Sequence, residues 1–194
     1  MGDQKDGFPT SNQLYWGAVL HTIAYAIFIA PDATLDYELS WDGINYNRQN
    51  SQGARGTIAF GSLGTVGVFF DVDSSRNPYP SGRTYELETY FRGISSELFA
   101  LARDEALQYI LDDYNGETLP VITSAFWSSG GSISAAEPWE DVLAHGAHLV
   151  EVDSLDNDDA RKELEREYEF SQEQCTLLQS LFLRKTAASA QAVL

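Results

Sequence analysis

The sequence predicts an α+β fold, in which an antiparallel sheet is covered on its apolar face by helices. Apolar and polar residues alternate from Leu35 to Trp41, and the alternation resumes after Asp42-Gly43. This pattern favours an antiparallel hairpin with one buried and one solvated face. Two further strand-like runs complete a β-meander over about 35–73. Helical patterns precede and follow the meander with no long linker between them, which is typical of an α+β domain.

The turn of the first hairpin is predicted at Asp42-Gly43. An Asp-Gly pair readily adopts the two positive φ angles of a type I′ turn. In that register Trp41 pairs with Ile44, and Leu39 faces Tyr46. Alternate residues of a strand point to the same side of a sheet, so these four side chains share the buried face.

The segment from Leu14 to Ala30 is apolar apart from His21 and Thr22. At 17 residues it reaches the lower limit for a membrane span. No basic cluster flanks it, and the residues before it lack the positive charge of a signal peptide. We therefore expect a core helix over 11–30 and no membrane association, and we interpret His21 as a hydrogen-bonded core histidine.

The rest of the chain predicts further helices and a later strand pair. A helix is expected from Ser95 or Ser96 to about Tyr114, because Asn115-Gly116 is a common helix stop signal. Residues 83–92 fit both a helix and a strand; the helix is favoured, but the choice stays open. The remaining predicted elements are strands over 55–60, 65–73, 121–127, 133–135 and 148–152 and helices over 138–144, 156–170 and 171–185.

Length and composition indicate a single domain over 11–194, preceded by a flexible tail over 1–10. The net charge is −17, from 12 basic and 29 acidic residues. Such a charge opposes binding to nucleic acid and to anionic membranes, both of which attract Lys and Arg. One cysteine, Cys175, allows no intrachain disulfide, which suits the reducing cytoplasm. The sequence leaves the oligomeric state open.

Asp71-Val-Asp73 follows an apolar run at the end of a predicted strand. It superficially resembles the strand-end Asp-x-Asp motif of haloacid-dehalogenase phosphatases. The resemblance implies a metal-dependent phosphohydrolase, with one carboxylate as nucleophile and the other as acid and base. That fold requires a parallel sheet, whereas these strands predict a meander. Two solvated carboxylates at a sheet edge are the other interpretation. We keep the phosphohydrolase as the alternative function.

His145 and His148 are three residues apart, and Asp141 precedes His145 by four. On one helix these three side chains would share a face and could bind a metal ion. Gly146 interrupts such a helix and indicates a turn into a strand instead. We therefore predict no metal site and no cofactor.

The segment from Glu137 to Glu173 holds 13 acidic and three basic residues. A negative surface with a few aromatic side chains is typical of one that binds a basic protein through steering and aromatic anchors. A solvated helix face is the competing interpretation. We expect a non-enzymatic acidic binding protein that engages a basic partner protein, of the immunity or inhibitor kind. The candidate partner-binding residues are Trp139, Glu140, Asp141, Glu163, Glu167 and Tyr168.

Overall fold

The computed structural model describes residues 8–32, 34, 37–79 and 84–191. Within them the fold is α+β, with a five-stranded antiparallel sheet, a separate two-stranded hairpin and five α-helices. The predicted fold class is confirmed. The predictions for residues 1–7, for Leu35 and Asp36 at the start of the hairpin, and for residues 80–83 lie outside the described residues.

The first α-helix precedes four consecutive strands, and the other helices follow them. The strands are β1 (Leu39–Asp42), β2 (Asn45–Gln49), β3 (Ala54–Gly61), β4 (Gly64–Asp71), β5 (Leu111–Tyr114), β6 (Glu117–Pro120) and β7 (Ser124–Ser128). The α-helices are α1 (Ser11–Ile29), α2 (Ser96–Asp104), α3 (Trp139–Ala144), α4 (Asn157–Glu167) and α5 (Gln172–Gln191). The order across the large sheet is β1-β2-β3-β4-β7, and β5 pairs with β6.

The first hairpin forms, but its turn lies one residue later than predicted. Trp41 is opposite Tyr46, so the two-residue loop is Gly43-Ile44. Trp41 therefore pairs with a residue two positions later than predicted. Leu39, Trp41 and Tyr46 stay on one face, while Ile44 lies in the turn and is exposed. The observed register brings the Trp41 and Tyr46 rings to 5.0 Å between centroids. Aromatic packing across the strands stabilises the later turn.

Gly43 has a φ of +59°, so we expect Gly43→Val to lower the free energy of unfolding by about 1 to 2 kcal/mol. Nothing lies within 4 Å of a Cβ built at this glycine, so the cost comes from the backbone alone. Urea denaturation measures it. Gly43→Asn is the matched control: Asn tolerates positive φ and should lose at most about 0.5 kcal/mol. Equal losses in both variants would contradict the turn geometry.

Strand β4 is apolar on both sides, and helices pack on both faces of the sheet at β3, β4 and β7. Phe69 packs with Phe126 in a core beneath α1 and α3. Val66 and Val68 point to the opposite face, where they belong to a second core with Leu98 of α2. A continuous apolar run of this kind is expected of a strand buried on both faces.

The predicted helix over 95–114 ends early, at Asp104. Asn115 and Gly116 are the turn of the β5–β6 hairpin, with φ angles of 57° and 86°. The same dipeptide suits a helix end and a type I′ hairpin turn, since both need positive φ. The segment from Leu87 to Phe91 forms a 3₁₀-helix, which settles most of the region left open.

The predicted strand over 148–152 is wrong. Gly146 has a φ of 128°, and two short 3₁₀-helices follow it, Ala147–Val150 and Val152–Ser154. Leu149 and Val150 are both buried although they are adjacent in sequence. Their apolar character therefore comes from packing in a tight helical turn and not from a place in the sheet.

Residues 8–10 of the predicted tail contact the rest of the fold. The Ile133 N–H donates to the Pro9 carbonyl at 2.9 Å. Thr10 caps α1, where its hydroxyl accepts from the Gln13 N–H at 3.1 Å and the Gln13 side chain accepts from the Thr10 N–H at 2.8 Å. This reciprocal pair is a capping box. Among the described helices none is long and apolar enough to cross a membrane.

Candidate functional site

The acidic segment 137–173 lies largely on the surface. Glu140 and Asp141 are exposed in the first turn of α3, and Glu167 is exposed at the end of α4. Glu163 is half-buried. Acidic side chains near a helix N-terminus are stabilised by the helix dipole, which accounts for the placement of the α3 pair. These four predicted residues are accessible, at least in part, to a partner.

The cations of this segment are already engaged on α4 itself. Arg161 pairs with Glu165 at 2.7 Å, Lys162 pairs with Asp159 at 2.6 Å, and Arg166 contacts Glu163. Pairs at i,i+3 and i,i+4 are ordinary helix-surface contacts of a few tenths of a kcal/mol. They leave the negative charge of the other carboxylates uncompensated.

Trp139 is buried, which corrects the expectation that its ring anchors a partner. It is 8% exposed and packs between Phe8 and Phe126, with centroid distances of 5.6 and 5.7 Å. Helix α3 has only six residues and buries two of them, Trp139 and Val142, so the Trp139 ring is part of the core. The candidate interface therefore has no anchor at this position.

Tyr168 has a structural role as well. Its ring stacks on Phe28 of α1 at 4.7 Å, and its hydroxyl lies 2.8 Å from His21 Nε2. Burial raises the pKa of Tyr168, although the nearby Arg48 acts to lower it. The side chain joins the end of α4 to α1, so only part of it could meet a partner.

His21 lies in a buried polar network, which confirms its interpretation as a core histidine. Its Nδ1 is 2.6 Å from Asp153 Oδ1, and Arg48 Nη1 is 2.7 Å from its Nε2. The same guanidinium nitrogen also lies 3.0 Å from Nδ1, so Arg48 packs against the imidazole ring. The Tyr46 hydroxyl donates to Asp153 Oδ2 at 3.1 Å.

The Asp153 carboxylate is fully buried, and its pKa is nevertheless lowered. Burial acts to raise this pKa, but His21, the charge of Arg48 and the Tyr46 hydrogen bond outweigh it. Both oxygens of the buried carboxylate thus have a partner, as a low-dielectric interior requires. The network joins α1, β2 and the Val152–Ser154 turn, and its role is to fix their packing.

Asp71 and Asp73 lie in a local turn where β4 ends. Asp71 ends β4, and its Oδ1 accepts from the Asp73 N–H at 2.9 Å, which closes a local turn. Asp73 is exposed. The sheet is antiparallel throughout its described strands, unlike the parallel sheet that the phosphatase motif requires.

The two histidines near α3 have separate partners. His145 Nδ1 lies 2.9 Å from the Ser74 hydroxyl, and burial together with Arg76 lowers the pKa of His145. His148 Nδ1 is 4.0 Å from Asp71 Oδ2. No group of three or more His, Cys, Asp or Glu side chains able to hold a metal ion occurs in the part of the chain that the structure describes.

An apolar groove that the sequence did not reveal runs along α1. Its volume is about 1140 Å³, and α1, α5 and the turn of the β1–β2 hairpin line it. Leu177 and Leu181 of α5 are 47% and 36% exposed, and Ile44 on the opposite wall is 38% exposed. The only sequence signal is that α1 is apolar nearly all round, more than one buried face requires.

The chain matches no protein-family model, and no curated protein or solved structure shows significant similarity to it.

Proposed function

We propose that this protein is a cytoplasmic, non-enzymatic binding protein whose acidic surface between Glu137 and Glu173 engages a basic partner protein. An immunity or inhibitor protein is the concrete form of the proposal. The observation that carries it is that Glu140, Asp141 and Glu167 are exposed, while the cations of the segment are already paired within α4. A surface of this kind attracts a positively charged protein over about a Debye length, 8 Å at physiological ionic strength.

The other described cations add to this argument. Arg48 lies in the core network, and Arg55, Arg76 and Arg103 are paired with Asp112, Glu137 and Asp104. The remaining described cations, Arg92, Arg184 and Lys185, are exposed and lie outside the acidic segment. The electrostatic contribution should appear mainly in the association rate and in its dependence on salt.

The test begins with affinity capture from the organism that makes the protein, followed by kinetics with the captured partner. We expect Glu163→Lys with Glu167→Lys to slow association by about tenfold, since steering depends on local charge. Sedimentation velocity and circular dichroism check that the fold is unchanged.

Glu86→Lys with Glu88→Lys is the matched control. Both residues are exposed and lie outside the acidic segment, and the change in net charge is the same. This variant should slow association by less than about twofold. A partner that binds both double variants equally, or whose association is indifferent to salt, would refute the proposed surface.

A further inference from the structure

The apolar groove along α1 is preformed. Its floor holds a cluster of rings in which Tyr15 is 5.3 Å from Phe60 and Trp41 is 5.8 Å from Phe60. Trp41 Nε1 donates to the Thr22 hydroxyl at 2.8 Å, so its one polar group is satisfied within the protein. A pocket with its polar groups already paired presents hydrocarbon to whatever enters it.

The walls of the groove expose apolar side chains in a pattern that fits a helix. Leu177 and Leu181 are one helical turn apart on α5. Ile44 stands on the hairpin side because the turn lies at Gly43-Ile44. Of the described residues that line the groove, only Lys185 carries a charge. A contiguous apolar surface on a protein with a net charge of −17 marks an interaction site.

The two ends of the groove differ in charge. Helix α5 runs antiparallel to α1, because Phe28 at the end of α1 stacks on Tyr168, just before α5, while Trp16 near the start of α1 contacts Phe182 in the middle of α5. Asp32, just after α1, and Glu173, in the first turn of α5, are therefore at one end, and both are exposed. Lys185 is at the other end.

We propose that the groove binds an amphipathic α-helix of a partner protein, with the helix N-terminus at the Asp32 and Glu173 end. A helix carries positive partial charge at its N-terminus and negative partial charge at its C-terminus, which matches the acidic end and Lys185 respectively. The stretch of α1 from Tyr15 to Ala30 is about 22 Å long, enough for about four turns of a bound helix. Apolar anchors at i, i+3, i+4 and i+7 would fill the groove.

A second copy of this chain is the less favourable occupant. Each copy carries a net charge of −17, so association of two copies is opposed by their mutual repulsion. A helix with basic residues in its first turn meets no such penalty. This proposal shares only Glu173 with the acidic segment 137–173, and the groove itself is lined by other elements.

The probe is a fluorescent peptide of about 16 residues, with leucines on one face, lysines in its first turn and glutamates in its last. A covalent staple on its solvent face keeps this peptide and its controls equally helical, because this order of charges opposes the helix dipole. Fluorescence anisotropy with the full chain measures its affinity. We expect it to bind at least about tenfold more tightly than a peptide with the lysines and glutamates exchanged, and than a scrambled peptide of the same composition.

Leu177→Asp should weaken binding of the probe at least about tenfold, since it places a charge in the groove. Leu183→Asp is the matched control: Leu183 lies on the same helix, is 59% exposed and is not among the groove residues. It should leave the affinity unchanged. Both leucines are exposed, so neither change should disturb the fold.

Three results would overturn the proposal. One is equal binding of the probe by wild type and Leu177→Asp, and another is equal binding of the two charge-ordered peptides. The third is a wild-type dimer in sedimentation velocity that Leu177→Asp converts to a monomer, because a second copy would then occupy the groove.

Discussion

Replacing Asp153 by Ala should lower the free energy of unfolding by about 3 to 5 kcal/mol. The carboxylate is completely buried and pairs with His21, while Tyr46 donates to its second oxygen. Its removal leaves His21 and Tyr46 without their shared partner and takes a nearby negative charge from the partly buried Arg48. Loss of one partner of a buried pair is strongly destabilising. Urea denaturation at neutral pH measures the effect.

Two further measurements separate the charge from the hydrogen bonds. Tyr46→Phe removes only the hydroxyl and should cost about 1 kcal/mol. Asp153→Asn keeps the shape of the side chain and removes the charge. The Asp153 pKa is lowered in the folded state, so its stabilising effect is present above the unfolded-state pKa and is lost as pH falls through the folded-state pKa.

The difference in stability between wild type and Asp153→Asn should therefore shrink in acid. A difference that stays constant from neutral pH to strongly acidic pH would show that the Asp153 carboxylate is not an anion paired with His21.

Gly17→Ala should destabilise the protein by about 2 to 3 kcal/mol, although Ala forms helices better than Gly. Gly17 lies inside α1, where helix propensity alone predicts a gain of about 1 kcal/mol from this change. A Cβ built at Gly17 would lie 2.0 Å from the Asp153 carbonyl oxygen, a backbone atom that cannot move aside. Tertiary contact thus reverses the sign that the sequence predicts.

Gly131→Ala is the control for Gly17→Ala. No atom lies within 4 Å of a Cβ at Gly131, so its stability should change by no more than about 0.5 kcal/mol. Thermal and urea denaturation should both show a larger loss of stability for Gly17→Ala than for Gly131→Ala. A stabilising effect of Gly17→Ala would show that α1 does not approach the Asp153 segment closely.

Local patterns were sufficient for several elements of the fold. The alternation around Trp41 and the positive φ of Gly43 follow from strand periodicity and turn chemistry. Helix α1 follows from its apolar run, and the polarity of His21 in that run predicted its hydrogen-bonded place in the core. Each of these predictions depends on residues close together in sequence, whose preferences act before any tertiary contact forms.

Other sequence features fit two different structures equally well. Asn115-Gly116 suits a helix end or a hairpin turn, and packing of β5 and β6 beside the second core selects the turn. Trp139 suits an anchor or a core residue, and its contact with Phe126 from a distant strand makes it a core residue. Periodicity shows that a side chain is apolar but not which partner covers it.

The sequence by itself determined the fold class, the meander and the excess of negative charge on the segment 137–173. Only the tertiary structure decided that His21 pairs with Asp153, 132 positions along the chain, and that α1 keeps an uncovered apolar groove beside α5. The physical reason is that strand and helix periodicity arise from neighbouring residues, whereas buried charge pairs and grooves arise where distant elements meet. Contacts between distant elements contribute free energy only after the loops between those elements have closed.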